Sequence, residues 1–192
     1  MTTPPFDTVS DEDVRIVTLQ LGRPARDVIG IAARCVCGAP TVVSTKPRLR
    51  DGTPFPTIYY LCHPAATASV STLEANGHMP ELAAMIEGEI AEQYQAAHDA
   101  YIADRESIEI VPELAGVSAG GMPTRVKCLH ALVGHSLAAG PGVNPLGDIA
   151  LGRASWSPTV CQCPDYSDGA GEGAAAAQRG TASANANAGS KQ

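Results

Sequence analysis

The alternation of apolar and polar residues predicts a small sheet in the first third of the chain. β-branched runs lie on both sides of Cys35-Val36-Cys37-Gly38, which is typical of two antiparallel strands joined by a tight turn. The apolar run at residues 58–61 predicts a third strand after a loop rich in proline. Ahead of the sheet, Ser10 and the acidic residues after it predict the start of a helix that ends near Gly22.

Helical spacing replaces strand spacing from Pro64 onward. The first helix is predicted to end at Asn76, and a longer helix begins at Pro80, where apolar residues recur every three or four positions. Residues 123–139 are predicted to form a helix that is apolar on nearly all sides and therefore central in the fold. Asn144-Pro145 predicts the N-cap and the first residue of a final short helix.

The predicted fold class is α+β: a small antiparallel sheet with a Cys-X-Cys knuckle, packed on a helical half with a buried central helix. The length of 192 residues supports one core. We predict a flexible N-terminus at residues 1–9, a single domain at residues 10–164 and a disordered tail at residues 165–192. The tail has almost no large apolar side chain, so burial cannot offset the entropy of ordering it.

Composition and charge argue against two classes of partner. The formal net charge of −7 repels nucleic acid, so no nucleic-acid partner is expected, and an anion site requires a local group of basic residues. No apolar stretch reaches the roughly 20 residues that span a membrane, so no membrane insertion is expected. The first residues also lack the features of a signal peptide. A cytoplasmic location is therefore predicted, where cysteines stay reduced.

Several cysteines have the spacing of a metal site. Cys35 and Cys37 flank one residue before a glycine, so both thiolates can face one ion, although two intervening residues are more usual in zinc knuckles. Cys62 and His63 are adjacent at a strand end and project to opposite sides, so one of them can join. The predicted zinc ligands are Cys35, Cys37, His63 (alternate Cys62) and Cys128. The alternative is a set of separately buried thiols, and the pair at residues 161–163 is equally compatible with free thiols.

Two groups of basic residues are candidate anion sites. Arg48 and Arg50 precede Asp51, and Arg125 and Lys127 lie at the start of the predicted central helix. They could hold a phosphate or carboxylate if the proline-rich loop packs over that helix end. The alternative is that they are solvated surface charges.

The candidate residues for acid and base chemistry are His130 and Asp51. A cysteine nucleophile is disfavoured by the predicted helix. Cys128 and His130 point apart on an uninterrupted helix, and Cys128 and His135 are about 10 Å apart along its axis. Nothing in the sequence brings His130 and Asp51 together.

Four motifs occur in order along the chain: CVCGAP, DGTPFPTIYYL, LEANG and GGMPTRVKCLHALVGHSLAAGPGVNPLGD. Over Val17 to Leu151 the sequence resembles domain-of-unknown-function family 501, found mainly in actinobacteria. The family has no established activity, and its gene neighbours imply a link with cell division or phosphate metabolism. At His63 the family pattern has a cysteine. That exchange is compatible with zinc, and much less so with an iron-sulfur cluster, and it equally fits a position that binds nothing.

Three functions are consistent with the sequence. The preferred hypothesis is a cytosolic zinc-stabilised module that binds a partner protein or a small anionic ligand. The second is a hydrolase or transferase that acts on a phosphorylated small molecule through His130 and the Arg and Lys residues. The third is a metal-free interaction protein that works through its acidic long helix or its tail. Whether the protein is an enzyme stays open.

Overall fold

The computed structural model describes residues 6–88 and 90–166, and it confirms the α+β fold class. A three-stranded antiparallel sheet is combined with six helices in this part of the chain. In chain order the elements are α1 (Asp11–Leu21), β1 (Val28–Arg34), β2 (Pro40–Thr45), β3 (Tyr59–Leu61), α2 (Pro64–Ala75), α3 (His78–Met85), α4 (Ala91–Ile108), a 3-10 turn (Pro112–Leu114), α5 (Leu129–Ala139) and α6 (Pro145–Arg153).

The sheet separates a large core from a small one. Its strand order is β1-β2-β3, and every residue of the central strand β2 is buried. Because side chains alternate along a strand, Val42 belongs to the large core, whereas Val43 belongs to the small core with Val17 of α1. The predicted strands and the tight turn between the first two are therefore confirmed.

The predicted central helix is buried as expected, but it begins at Leu129 and not at Pro123. The chain before it forms turns, because the Lys127 and Cys128 backbone N–H groups donate to the Gly120 carbonyl at 2.7 and 3.3 Å. Gly120 (φ 69°) and Gly121 (φ 97°) adopt left-handed conformations that a right-handed helix cannot contain. Cys128 is consequently the N-cap of α5, with extended backbone.

The helix predicted from Pro80 onward is divided into α3 and α4. The Ile86, Glu87 and Gly88 N–H groups donate to carbonyls three residues earlier, at 3.2 to 3.3 Å. These tighter bonds end α3 before the segment that leads into α4. The other predicted boundaries agree with the structure: Gly22 ends α1, Asn76 follows α2, and the Asn144 side chain caps α6.

Helix α5 packs directly on strand β3. A Cβ atom at Gly134 would lie 2.9 Å from the Tyr59 carbonyl oxygen, so glycine permits this approach of helix to strand. Tyr59 and His135 stack with their ring centres 5.9 Å apart, and burial lowers the pKa of His135 to about 4. His135 is therefore a neutral core residue, far into α5 from Cys128.

The described ends of the chain contact the domain. Asp7 forms an isolated bridge with Ile31 of β1, and the side chains of Arg15 and Gln20 donate to the backbone carbonyl and the hydroxyl of Tyr166. Most of the predicted flexible N-terminus and tail lies outside the described residues. No helix in the described part of the chain has the length and apolar character needed to cross a membrane.

Gly134→Ala is expected to lower the free energy of unfolding by about 1–3 kcal/mol, because the added methyl group forces α5 away from β3. The matched control is Gly152→Ala in α6, where a Cβ atom meets nothing within 4 Å. That control should be neutral or should stabilise the protein by up to about 1 kcal/mol. Denaturant unfolding of both variants measures the difference. Equal stability of the two variants would contradict the conclusion that Gly134 is needed for the close approach of α5 to β3.

Candidate metal centre and neighbouring cavity

The turn between β1 and β2 forms a knuckle around two thiols. The Gly38 N–H donates to the Cys35 carbonyl at 2.8 Å, and the Cys35 N–H donates to the Ala39 carbonyl at 2.9 Å. The backbone N–H groups of Cys37 and Ala39 face the sulfur atoms of Cys35 and Cys37. N–H donors of this kind stabilise thiolates, which are the form that binds metals.

Arg34 holds this knuckle against α1. Its guanidinium donates to the Gly38 carbonyl at 3.0 Å and to the two carboxylate oxygens of Asp13 at 2.6 and 3.1 Å. Asp13 also belongs to the capping box of α1, in which it accepts from the Ser10 N–H at 3.0 Å. The position of the two thiols is thus coupled to the start of the first helix.

A second Cys-X-Cys pair meets the knuckle from the other end of the domain. The sulfur atoms of Cys35, Cys37, Cys161 and Cys163 all lie within 4.8 Å of one another, and those of Cys37 and Cys163 are 3.4 Å apart. Cys35 is buried, Cys163 is half-buried, and the other two are exposed. These four thiols form the candidate metal centre.

His63 borders the metal centre and does not belong to its set of four thiols. It is fully buried, and its Nε2 lies 3.2 Å from the Cys163 sulfur. Its Nδ1 accepts from the Ala66 N–H at 3.4 Å as the N-cap of α2, so the ring proton resides on Nε2. Nε2–H can therefore donate to the Cys163 sulfur. Burial lowers the pKa of His63, which keeps the ring neutral.

The electrostatic environment differs among the clustered thiols. The Ala39 N–H lowers the pKa of Cys37 to about 7, whereas burial raises the pKa of Cys35. Burial, together with the neighbouring thiols, also raises the pKa of Cys163. Several thiolates this close together would repel one another. A bound cation would offset that repulsion, because it compensates several thiolate charges at once.

The predicted zinc ligand set is divided in the structure. Cys35 and Cys37 lie in the metal centre and His63 lies beside it, but Cys128 lies with Glu74 and His130 in a different group. Cys62, the alternate ligand, is buried and donates to the Thr41 carbonyl at 3.3 Å, and burial raises the pKa of its thiol to about 12. Cys161 and Cys163 replace Cys128 as the thiols that meet the knuckle. Their Cys-X-Cys spacing, which repeats that of the knuckle, was the available signal.

A cavity of about 770 Å³ lies beside strand β3 and the start of α5. Its wall includes Arg125, Lys127, Cys128 and His130, together with strand β3 and the glycine-rich segment 116–121. Arg125 and Lys127 are exposed, and neither forms an ion pair within the described residues. The cavity therefore has a basic wall next to a thiol and an imidazole.

The remaining predicted site residues lie elsewhere. Arg48 pairs with Glu113 at 2.6 Å, and Arg50 pairs with Asp27 at 3.4 Å. Asp51 accepts from the Thr53 N–H at 3.0 Å and lines, with Arg50, a separate cavity of about 370 Å³. The structure thus places Asp51 and His130 in different cavities, and the two groups of basic residues apart.

One comparison with known proteins gives a result. A family model described as Protein of unknown function (DUF501) matches residues 31–152, well over half of the chain. No curated protein and no solved structure matches the chain. The match includes the knuckle and the cavity residues, and it ends before Cys161 and Cys163.

Asp13→Asn is expected to destabilise the domain in a pH-dependent way. The Arg34 guanidinium lowers the pKa of Asp13 to about 2, below the value of about 3.9 in an unfolded chain. The pair's contribution, about 2 kcal/mol, is therefore present above about pH 4 and is lost as the pH falls towards 2. Denaturant unfolding should show a loss of this size at neutral pH and little difference near pH 2.

Glu12→Gln is the matched control for Asp13→Asn, because it removes an exposed ion pair on the same helix. It should leave the unfolding curve unchanged. A loss of stability in Asp13→Asn that is equal at both pH values would show that the ion pair is not its source.

Proposed function

We propose that this chain, which belongs to the DUF501 family, is a zinc-stabilised module that binds a small anionic ligand in the cavity beside Arg125 and Lys127. One observation carries the proposal: four cysteine sulfurs from two distant segments lie within 4.8 Å of one another. The basic wall of the cavity supports the second half of the proposal.

The donor set and its spacing favour a single zinc ion. Four thiolates are the ligands of many closed structural zinc sites, in which a zinc–sulfur bond of about 2.3 Å places tetrahedral sulfurs about 3.8 Å apart. The observed spacing, within 4.8 Å for every pair, is compatible with one ion. A cluster of four irons is larger and holds its cysteine ligands further apart. The proposed ligands are Cys35, Cys37, Cys161 and Cys163.

Zinc at this place would join the two ends of the domain. The knuckle follows β1, whereas Cys161 and Cys163 follow the last helix. A cross-link between such distant segments closes a long loop and reduces the entropy of the unfolded chain. His63 would act beside the ion and not on it, because its Nε2–H faces the Cys163 sulfur as a donor.

The first test is the zinc content of the purified chain. Elemental mass spectrometry should find about one zinc per chain. Cys37→Ser and Cys163→Ser should lose the ion and unfold at lower denaturant concentration, because structural zinc contributes folding free energy. Cys62→Ser and Cys128→Ser are matched controls, since both thiols lie outside the cluster, and they should retain zinc.

Two results would overturn the assignment of ligands. Loss of zinc in Cys128→Ser would restore the set predicted from the sequence. Retention of zinc in Cys161→Ser, with loss in His63→Gln, would make His63 the fourth ligand in place of the exposed Cys161. A well-folded chain without metal would refute the zinc site altogether.

Charge supports an anionic ligand for the cavity. The chain as a whole carries a formal net charge of −7, whereas the charged side chains that line this cavity besides His130 are the cations Arg125 and Lys127. The volume of about 770 Å³ fits a metabolite better than a protein surface. Phosphorylated metabolites are the first class to test, because arginine and lysine bind phosphate oxygens through charge-assisted hydrogen bonds.

Pyrophosphate is a suitable probe for the basic wall. Isothermal titration should detect binding, and Arg125→Gln and Lys127→Gln should each weaken it about tenfold, as expected for one charge-assisted hydrogen bond. Arg48→Gln and Arg153→Gln are matched controls, since both arginines pair with carboxylates away from the cavity. Absence of binding, or an equal effect in the controls, would contradict the proposed ligand site.

A further inference from the structure

The start of α5 brings a thiol and an imidazole together. Cys128 is the N-cap of this helix, with φ −152° and ψ 112°, so its side chain does not point away from His130 as it would within a helix. The Cys128 sulfur lies 3.9 Å from Nδ1 of His130. Both residues are half-buried and line the cavity.

Hydrogen bonds to the far side of the ring decide which nitrogen faces the thiol as a base. Nε2 of His130 lies 3.2 Å from the Thr67 carbonyl and 3.1 Å from the Ser71 hydroxyl. A carbonyl only accepts, so Nε2 carries a proton and donates it to Thr67. Oε1 of Glu74, 3.3 Å from Nδ1, also only accepts, so the contacts together favour a ring that is protonated on both nitrogens and holds the Cys128 proton on Nδ1.

Glu74 supplies a fixed negative charge to this pair. Its Oε1 accepts from the Leu129 N–H at 2.7 Å, which holds the carboxylate at the start of α5, and the same oxygen lies 3.3 Å from Nδ1 of His130. When Nδ1 takes the thiol proton, the carboxylate stabilises the resulting imidazolium. Glu74 acts through His130 and is a positioning residue.

The charge states follow from the same contacts. The contact with His130 lowers the pKa of Cys128, and the contact with Cys128, supported by the Glu74 charge, raises the pKa of His130. Arg125 and Lys127 are the other charged residues on the cavity wall, and both favour a thiolate.

We infer that Cys128 is a nucleophile, with His130 as its base, that attacks activated acyl compounds carrying an anionic group. The choice of an anionic substrate rests on the proposed function of the cavity, whereas the reactivity of the thiol depends on neither that function nor zinc. In the first step the Cys128 sulfur bonds to the carbonyl carbon of an ester or thioester, and His130 takes the thiol proton.

Water is the only further reactant that the reaction needs to regenerate the free thiol. His130 gives its proton to the leaving alcohol or thiol as the bond from that group to the carbonyl carbon breaks, which leaves an acyl group on Cys128. Water then attacks the thioester, releases the acid and restores the thiol and the neutral imidazole.

The first experiment measures the reactivity of Cys128 in the full chain. Iodoacetamide forms a sulfur–carbon bond and releases iodide, and peptide mass mapping gives the rate at each cysteine from about pH 5 to 9. Cys128 should react already below the pKa of about 8.5 of a free thiol. His130→Gln should lower its rate at neutral pH about tenfold and move the profile to that of a free thiol. Glu74→Gln, which keeps an acceptor for the Leu129 N–H, should do the same to a smaller extent.

His78→Gln is the matched control for a histidine outside the cavity, and the buried Cys62 is the slow internal reference. A Cys128 rate unaffected by His130→Gln would refute the pair. Alkylation that occurs only after a chelator is added would show that Glu74, Cys128 and His130 hold a metal ion, which would also overturn the proposal.

The second experiment tests the acyl substrate. Mono-p-nitrophenyl succinate should release nitrophenol faster than neutral p-nitrophenyl acetate and leave an acyl group on Cys128, seen by intact mass, and Cys128→Ser should abolish both signals. Arg125→Gln with Lys127→Gln should remove the preference for the anionic ester. If the unsubstituted protein shows no preference for the anionic ester, the anion-binding role of the cavity is refuted, whereas the assignment of Cys128 as nucleophile is retained. If neither ester acylates a thiol that alkylates readily, the acyl chemistry is refuted.

Discussion

The close contact between helix α5 and strand β3 organises the rest of the molecule. Gly134 allows the helix to approach the Tyr59 carbonyl, and α6 approaches α5 in the same way at Gly147, where a Cβ atom would collide with the Leu132 carbonyl. A core packed this tightly fixes the helix in position and rotation. The start of α5 therefore has a defined position at the cavity, and this position fixes where the side chains of Cys128 and His130 lie.

Helix α2 connects the two sites. At its start, His63 caps the helix and faces the Cys163 sulfur of the candidate metal centre. Further along one side of the same helix, Thr67, Ser71 and Glu74 all contact His130, as residues three and four positions apart on a helix can. Helix α2 thus contacts the candidate metal centre at its start and the Cys128–His130 pair near its end.

The two cysteine groups differ in what surrounds them. At the knuckle, four thiols face one another beside backbone N–H donors, an arrangement that suits a cation. At the cavity, a single thiol faces an imidazole whose other nitrogen is occupied, an arrangement that suits proton transfer. Cys62 has neither kind of partner and is a buried thiol in the small core. The same residue type therefore occupies three different environments in the described part of this domain.

Local features of this chain were predictable from the sequence because they depend on neighbouring residues. The knuckle, the three strands, the capping of α1 and α6 and the burial of α5 follow from alternation, capping residues and glycine. Tertiary structure decided which residues meet. Cys161 and Cys163 reach the knuckle because the whole domain brings its ends together, and Cys128 reaches His130 because turns at Gly120 and Gly121 delay the start of α5. The first contact depends on how distant segments pack, and the second on where the turns place the start of the helix, so the spacing of the cysteines and histidines alone predicts neither.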